Sequence, residues 1–219
     1  MNKYLNIALN IISPAKCVFC GKTLPLDAKE DFWVCGKCVN ELPFCAGSAE
    51  PAPPLDRTAS VFVYEDEVKD AIHRFKFKGK RHYSNTFARF MSILAQARFG
   101  NVDALIPIPL TSKKFRERGY NQTYELAVCI SKRLKIPIWN KCLLKIKDTP
   151  SQTTLTAEER QKNVEGTFAL SPKADVRGRV LLLVDDVFTT GATVRECAKM
   201  LKEAGASAVC AVTVASTQI

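Results

Sequence analysis

The stretch RVLLLVDDVFTTGATVRECAKMLKEAG occupies residues 179–205. Val180–Val184 is an unbroken apolar run that suits a parallel strand buried on both faces, and it stops at the acid pair Asp185-Asp186. Val194, Cys197, Ala198 and Leu201 then recur at helical spacing, with Gly205 as a natural stop, so the pattern predicts a helix. Between strand and helix, Thr189-Thr190-Gly191-Ala192-Thr193 forms a glycine-bearing turn whose unpaired amides and hydroxyls can cradle a phosphate. Two carboxylates at the strand's carboxyl end would repel that phosphate unless they faced hydroxyls or a divalent cation. A sugar phosphate meets both conditions. The plainer reading is an ordinary strand-turn-helix unit with an acidic strand end and a Thr-capped helix.

Around this unit the chain alternates strand and helix signals. Ala59–Glu65 reads as a strand, and Val68–Phe77 as a helix with Ala71, Ile72 and Phe75 inward. Ser84–Arg98 follows as a second helix, with Phe87, Phe90, Met91 and Leu94 on its core face. ALIPIPL at 104–110 is a strand whose prolines disturb its end. The loop TSKKFRERGYNQ then leads into a helix with Leu126, Ala127, Ile130 and Leu134 inward. The loop's arginines and the helix-start amides suit a pyrophosphate, and equally a basic surface loop. TPSQTTLTAEERQKN at 149–163 is a polar segment with a Thr156-x-x-Glu159 capping box, fit to close over a ligand or to lie inert. Ala208–Ala215 supplies a last buried strand. Neither His73 nor His82 has a catalytic partner in the pattern.

Thirty-two Lys and Arg against 22 Asp and Glu leave a net charge of +10, which points to polyanionic partners or simply to a soluble basic protein. The charge is clustered. Arg74, Lys76, Lys78, Lys80 and Arg81 are interleaved with Phe75, Phe77 and Tyr83, an arrangement that suits single-stranded nucleic acid. A solvated helix face over core aromatics is the alternative.

Five of the nine cysteines fall in the first 45 residues, and the odd total argues against a disulfide framework. Cys17-x-x-Cys20 and Cys35-x-x-Cys38 are two knuckles that can close a tetrahedral thiolate site. Few large aliphatics surround them, so bound Zn²⁺ would supply folding energy; paired disulfides or reduced thiols are the other readings. Four thiolates saturate the ion and leave no open position, making it structural. Cys45 is a spare. Tyr4–Ile12 reads as a short amphipathic helix without a cleavage pattern, and no run approaches a membrane span, so a cytoplasmic protein is expected. Prolines 51, 53 and 54 mark a linker, dividing the chain into an N-terminal zinc-finger domain over 1–50, a linker over 51–58 and a main domain over 59–219.

VDDVFTTGAT at 184–193 resembles the signature of type I phosphoribosyltransferases, whose ligand is 5-phosphoribosyl-1-pyrophosphate (PRPP). The resemblance implies that Asp185 and Asp186 hold the ribose hydroxyls, that Thr189–Thr193 hold the 5-phosphate, and that Mg²⁺ accompanies PRPP. Together with the four cysteines, KFKGK at 76–80, PIPL at 107–110, RGYNQ at 118–122, Thr149-x-Ser151-Gln152-Thr153 and Glu159-Arg160 with Asn163, it follows the order of ComF-family proteins. The zinc-bearing ComFC-like type is the most similar. That resemblance implies an α/β fold, a type I phosphoribosyltransferase-like parallel sheet flanked by helices, with a small four-cysteine finger. It also implies a pyrophosphate loop with Arg116, Arg118, Asn121 and Gln122, and a flexible loop offering Gln152, Arg160 and Asn163. Its functional side is natural transformation, with single-stranded DNA and a competence helicase or other uptake proteins as partners. ComF sequences often carry a further cysteine pair at Cys45, whereas Ala46, Gly47 and Ser48 follow it here, which argues against a second metal pair. Whether PRPP is turned over, and onto what acceptor, stays open at this level.

Overall fold

The computed structural model describes residues 14–25, 32–45, 53–147 and 163–217. The expected helix over 4–12, the first two residues of the linker and the 149–162 segment with Gln152 and Arg160 lie outside them. In chain order the elements are α1 Gly36–Glu41, β1 Arg57–Val63, α2 Asp66–Phe77, α3 Tyr83–Phe99, β2 Ala104–Pro107, α4 Ser112–Arg118 and α5 Gln122–Leu134. The remainder are β3 Leu143–Lys145, β4 Phe168–Leu170, β5 Val180–Phe188, α6 Ala192–Glu203 and β6 Ala208–Ser216.

Four strands form a parallel sheet in the order β1-β6-β5-β2. Period-2 alternation divides the central strands between two cores. Leu182, Val184, Cys210, Val212 and Val214 face a core built with α2, α3 and α5, whereas Leu181, Leu183, Val209 and Ala211 face one built with α6. The apolar spacing therefore works as expected: Ala71, Ile72 and Phe75 of α2, Phe87 and Met91 of α3, and Val194, Cys197, Ala198 and Leu201 of α6 are all buried.

Three local expectations need correction. β5 does not stop at Val184; it runs on through both acids to Phe188, because β6 keeps pairing with it as far as Phe188 opposite Ser216. β2 ends at Pro107 rather than Leu110, where Pro107 and Pro109 offer no amide hydrogen to a ladder. Residues 112–118 form a helix instead of an open loop: Thr111 accepts from the Lys114 amide as N-cap, and Gly119 closes the other end in the left-handed region at φ 76°. A small antiparallel pair, β3 with β4, was not signalled by the sequence.

The cysteine element packs on the α2/α3 side of the sheet. Val18, Phe19, Leu24, Val34 and Leu42 belong to the same core as those helices, and Phe19 meets Phe62 and Phe87 edge-on at 5.4 and 6.0 Å. Arg74 pins it there. Its Nη2 donates to the carbonyls of Val18 and Phe19 at 2.9 and 2.6 Å, which removes this residue from the basic face assigned to it above. Arg74→Met should lower stability by roughly 2 kcal/mol, the scale of hydrogen bonds from a charged donor, seen as a lower denaturant midpoint. Lys78→Met, at an exposed position, should leave the midpoint unchanged.

Candidate functional site

Carrying β5 through Asp185 and Asp186 has a geometric consequence: neighbouring residues of a strand point to opposite faces. Asp186 turns toward α2 and α5. Its Oδ1 pairs with Lys76 Nζ at 2.7 Å, and its Oδ2 accepts from Gln122 Nε2 at 2.8 Å. Lys76 and Asp186 are 20% and 6% exposed, so the pair is shielded enough for its charge neutralisation to matter. Gln122, itself buried, has no partner for Oε1 among the described residues. That places an unused acceptor beside the acids.

Asp185 is held less completely: its Oδ1 accepts from the Asp186 amide at 2.8 Å. Burial first, and the Asp186 charge second, push its carboxyl up to about 7, against the opposing pull of Lys76, that amide and Lys145. Asp186 thus has a lysine and an amide donor as partners, whereas Asp185 has a single amide and its carboxyl is raised.

Beyond the acids, Gly191 is the N-cap of α6 at φ 73° and has no side chain to offer its amides, while the Ala192 amide donates to Thr190 Oγ1 at 3.4 Å. A Cβ there would lie 2.4 Å from Phe188 Cζ, so only glycine fits. Arg195 braces the turn by donating to the Thr190 carbonyl. The acids, the turn from Thr189 to Thr193, Lys76, Arg118, Gln122 and Lys145 all line one cleft of about 1060 Å³. It sits at the carboxyl end of β5, where parallel α/β sheets take ligands.

The remaining expected residues fall elsewhere. Arg116 and Asn121 line a separate groove on the other side of α4. Asn121 serves as the α5 N-cap, accepting from the Thr123 amide at 3.1 Å and donating to the Ile108 carbonyl. Asn163 is half-buried and is not among the residues lining the cleft. Of the basic cluster, Lys76 belongs to the cleft as the partner of Asp186, while Lys78, Lys80 and Arg81 are exposed. Sequence reasoning missed Lys145, His73 and Tyr64 as cleft walls, since nothing local marks them.

The sulfur atoms of Cys17, Cys20, Cys35 and Cys38 all lie within 4.8 Å of one another. A tetrahedral thiolate site with metal–sulfur bonds of about 2.3 Å has sulfur–sulfur edges of roughly 3.8 Å, so this cluster fits a metal ion. The residues supply only thiolates, a full set for such an ion.

Residues 124–218 match the model of the phosphoribosyl transferase domain. Over 207 residues, 90% of this chain and 88% of the other, the sequence is 31% identical to Competence protein F of Haemophilus influenzae. The chain belongs to the ComF family. Further relatives are DNA utilization protein YhgH of Escherichia coli, 29% identical over 88% of this chain and 80% of that one, and Competence protein ComFC of Bacillus subtilis, 30% identical over 70% and 61%. The parallel sheet with its flanking helices is accordingly the type I phosphoribosyltransferase-like fold expected for a ComF protein. Among the described residues no helix is long and apolar enough to cross a membrane.

The raised Asp185 carboxyl makes stability depend on pH. Its proton is held more tightly in the fold than in the unfolded chain, so its stabilising contribution is full below about pH 4 and is lost as pH rises to about 7. Asp185→Asn should therefore unfold at a higher temperature than the parent at pH 8, with the difference shrinking toward pH 4. Equal melting curves at pH 8 would contradict this account of the acid pair.

Proposed function

We propose that this ComF protein binds PRPP with Mg²⁺ in the cleft and acts in DNA uptake during natural transformation, handling incoming single-stranded DNA in the cytoplasm. The observation that carries the reading is the convergence of Asp185, Asp186 and the Thr189–Thr193 turn in one cleft at the end of β5. The acids are acceptors for ribose hydroxyls, and the start of α6, whose cap residue is a glycine, suits the 5-phosphate. Lys113, Lys114 and Arg118 on the facing wall suit the pyrophosphate. Bound Mg²⁺ would neutralise the pyrophosphate oxygens. The names of the relatives, competence and DNA utilization, support the biological side.

Calorimetry on the full, metal-replete chain tests the ligand. PRPP should give saturable heat with Mg²⁺ present, and Asp186→Asn should abolish or strongly reduce it. A parent protein that gives no heat overturns the reading. Zinc is the ion proposed for the four cysteines, with a structural role. Metal analysis should return one zinc per chain, and stripping it with a chelator should lower the melting temperature. Unchanged melting after complete removal argues against that role.

A second reading, a true phosphoribosyltransferase without a direct DNA role, is favoured by the domain match and by Phe77. This ring is 55% exposed in the cleft wall and could carry a flat acceptor. In such a transfer an acceptor nitrogen bonds to ribose C1 as the C1–O bond breaks, pyrophosphate leaves with the electron pair, and the acceptor's proton passes to solvent. Pyrophosphate release on adding bases to the PRPP complex would favour it.

A further inference from the structure

Helix α4 separates two cavities. Lys113, Lys114, Glu117 and Arg118 face the PRPP cleft, whereas Ser112, Phe115 and Arg116 line a groove of about 610 Å³ on the other side. Opposite them stand Arg81, Tyr120, Tyr124 and Asn140. Nothing in the proposed PRPP chemistry uses this groove.

Its composition is specific. Phe115 is 50% exposed on a helix with no buried residue, so the ring contributes little to any core and presents a face to the groove. Tyr124 is half-buried beside it in the groove wall. Arg81 lies over the Tyr120 ring with its carbon 5.2 Å from the centroid, and its guanidinium also pairs with Glu125. That pairing neutralises Glu125, the one carboxylate among the described lining residues, together with Arg81, leaving Arg116 as an exposed cation. Lys78 and Lys80, exposed just before Arg81 in sequence, extend the positive charge.

Half-exposed aromatic rings set among arginines match unpaired bases on a charged backbone: the rings stack on bases of any sequence, and the cations take phosphates. A duplex keeps its base faces stacked inside and would leave Phe115 unused. We propose that the groove behind α4 is a docking site for a short run of single-stranded DNA, with bases stacked on Phe115 and Tyr124, phosphates met by Arg116 and Lys80, and Arg81 holding the Tyr120 wall in place. The proposal rests on the reading that this chain handles single-stranded DNA, and it gives that strand a place. It also gives Arg116 a role apart from the pyrophosphate loop.

The test is fluorescence anisotropy of a labelled oligo-dT with the full, metal-replete chain at several salt concentrations, using the parent, Phe115→Ala and Arg116→Gln. Phe115→Ala should weaken binding roughly tenfold without changing the slope of log affinity against log salt. Arg116→Gln should reduce that slope by about one. Melting temperatures within a degree or two of the parent, as expected for exposed positions, exclude misfolding; if either variant melts lower, photocrosslinking of iodouracil-substituted DNA to the parent replaces it. Crosslinks should then map to residues 80–81 or 109–125. Parent-like affinity and slope in both variants, or crosslinks elsewhere, overturn the groove while DNA handling stands. A parent that binds no oligonucleotide even at low salt removes both. Displacement of oligo-dT by polyglutamate at equal charge would show a mere anion patch and also overturn the proposal.

Discussion

Parallel pairing between β5 and β6 extends through Asp185 and Asp186 to Phe188, and the site depends on that extension. A strand that ended at Val184 would leave both carboxylates on a loop, free to face water together. Held in the ladder, they are forced to opposite faces and into the protein, where each must be compensated separately. Lys76 and Gln122 compensate Asp186 from α2 and α5. Asp185 receives one amide and remains destabilised as an anion. The fold thus keeps an incompletely satisfied acid at the mouth of the cleft, a condition that a ligand with hydroxyl donors or a cation relieves.

The same economy governs the amino-terminal element. Its small set of apolar residues does not make a separate core; Phe19 and its neighbours join the core under α2 and α3, and Arg74 ties their carbonyls to α2. Since α2 also carries Lys76, the helix that receives the cysteine element is the one that neutralises Asp186. The order of the thiolate cluster and of the acid pair therefore share a scaffold.

Much of this was readable from sequence because it follows short-range spacing. The apolar run of β5, the inward faces of α2, α3 and α6, and the two cysteine knuckles are set by residues a few positions apart. What escaped depends on partners far along the chain. Pairing with β6, not local propensity, keeps Asp185 and Asp186 in a strand, and Lys76 reads as one more surface lysine until folding brings it to Asp186. Leu143 and Leu144 interrupt a basic stretch without revealing β4 as their partner. Helix α4 is a different case: Thr111 as cap and Gly119 as stop were visible signals, outweighed by the density of charge between them.

That short helix has a bearing on how variants of this protein are interpreted. Its alternate faces form walls of two cavities, so a substitution anywhere along residues 112–118 can tilt the whole segment and be felt on both sides. Loss of one property after such a change does not locate the defect. Only a pair of measurements, one for each side, separates a lost contact from a moved partition, and any energetic cross-talk between the two occupants must run equally in both directions.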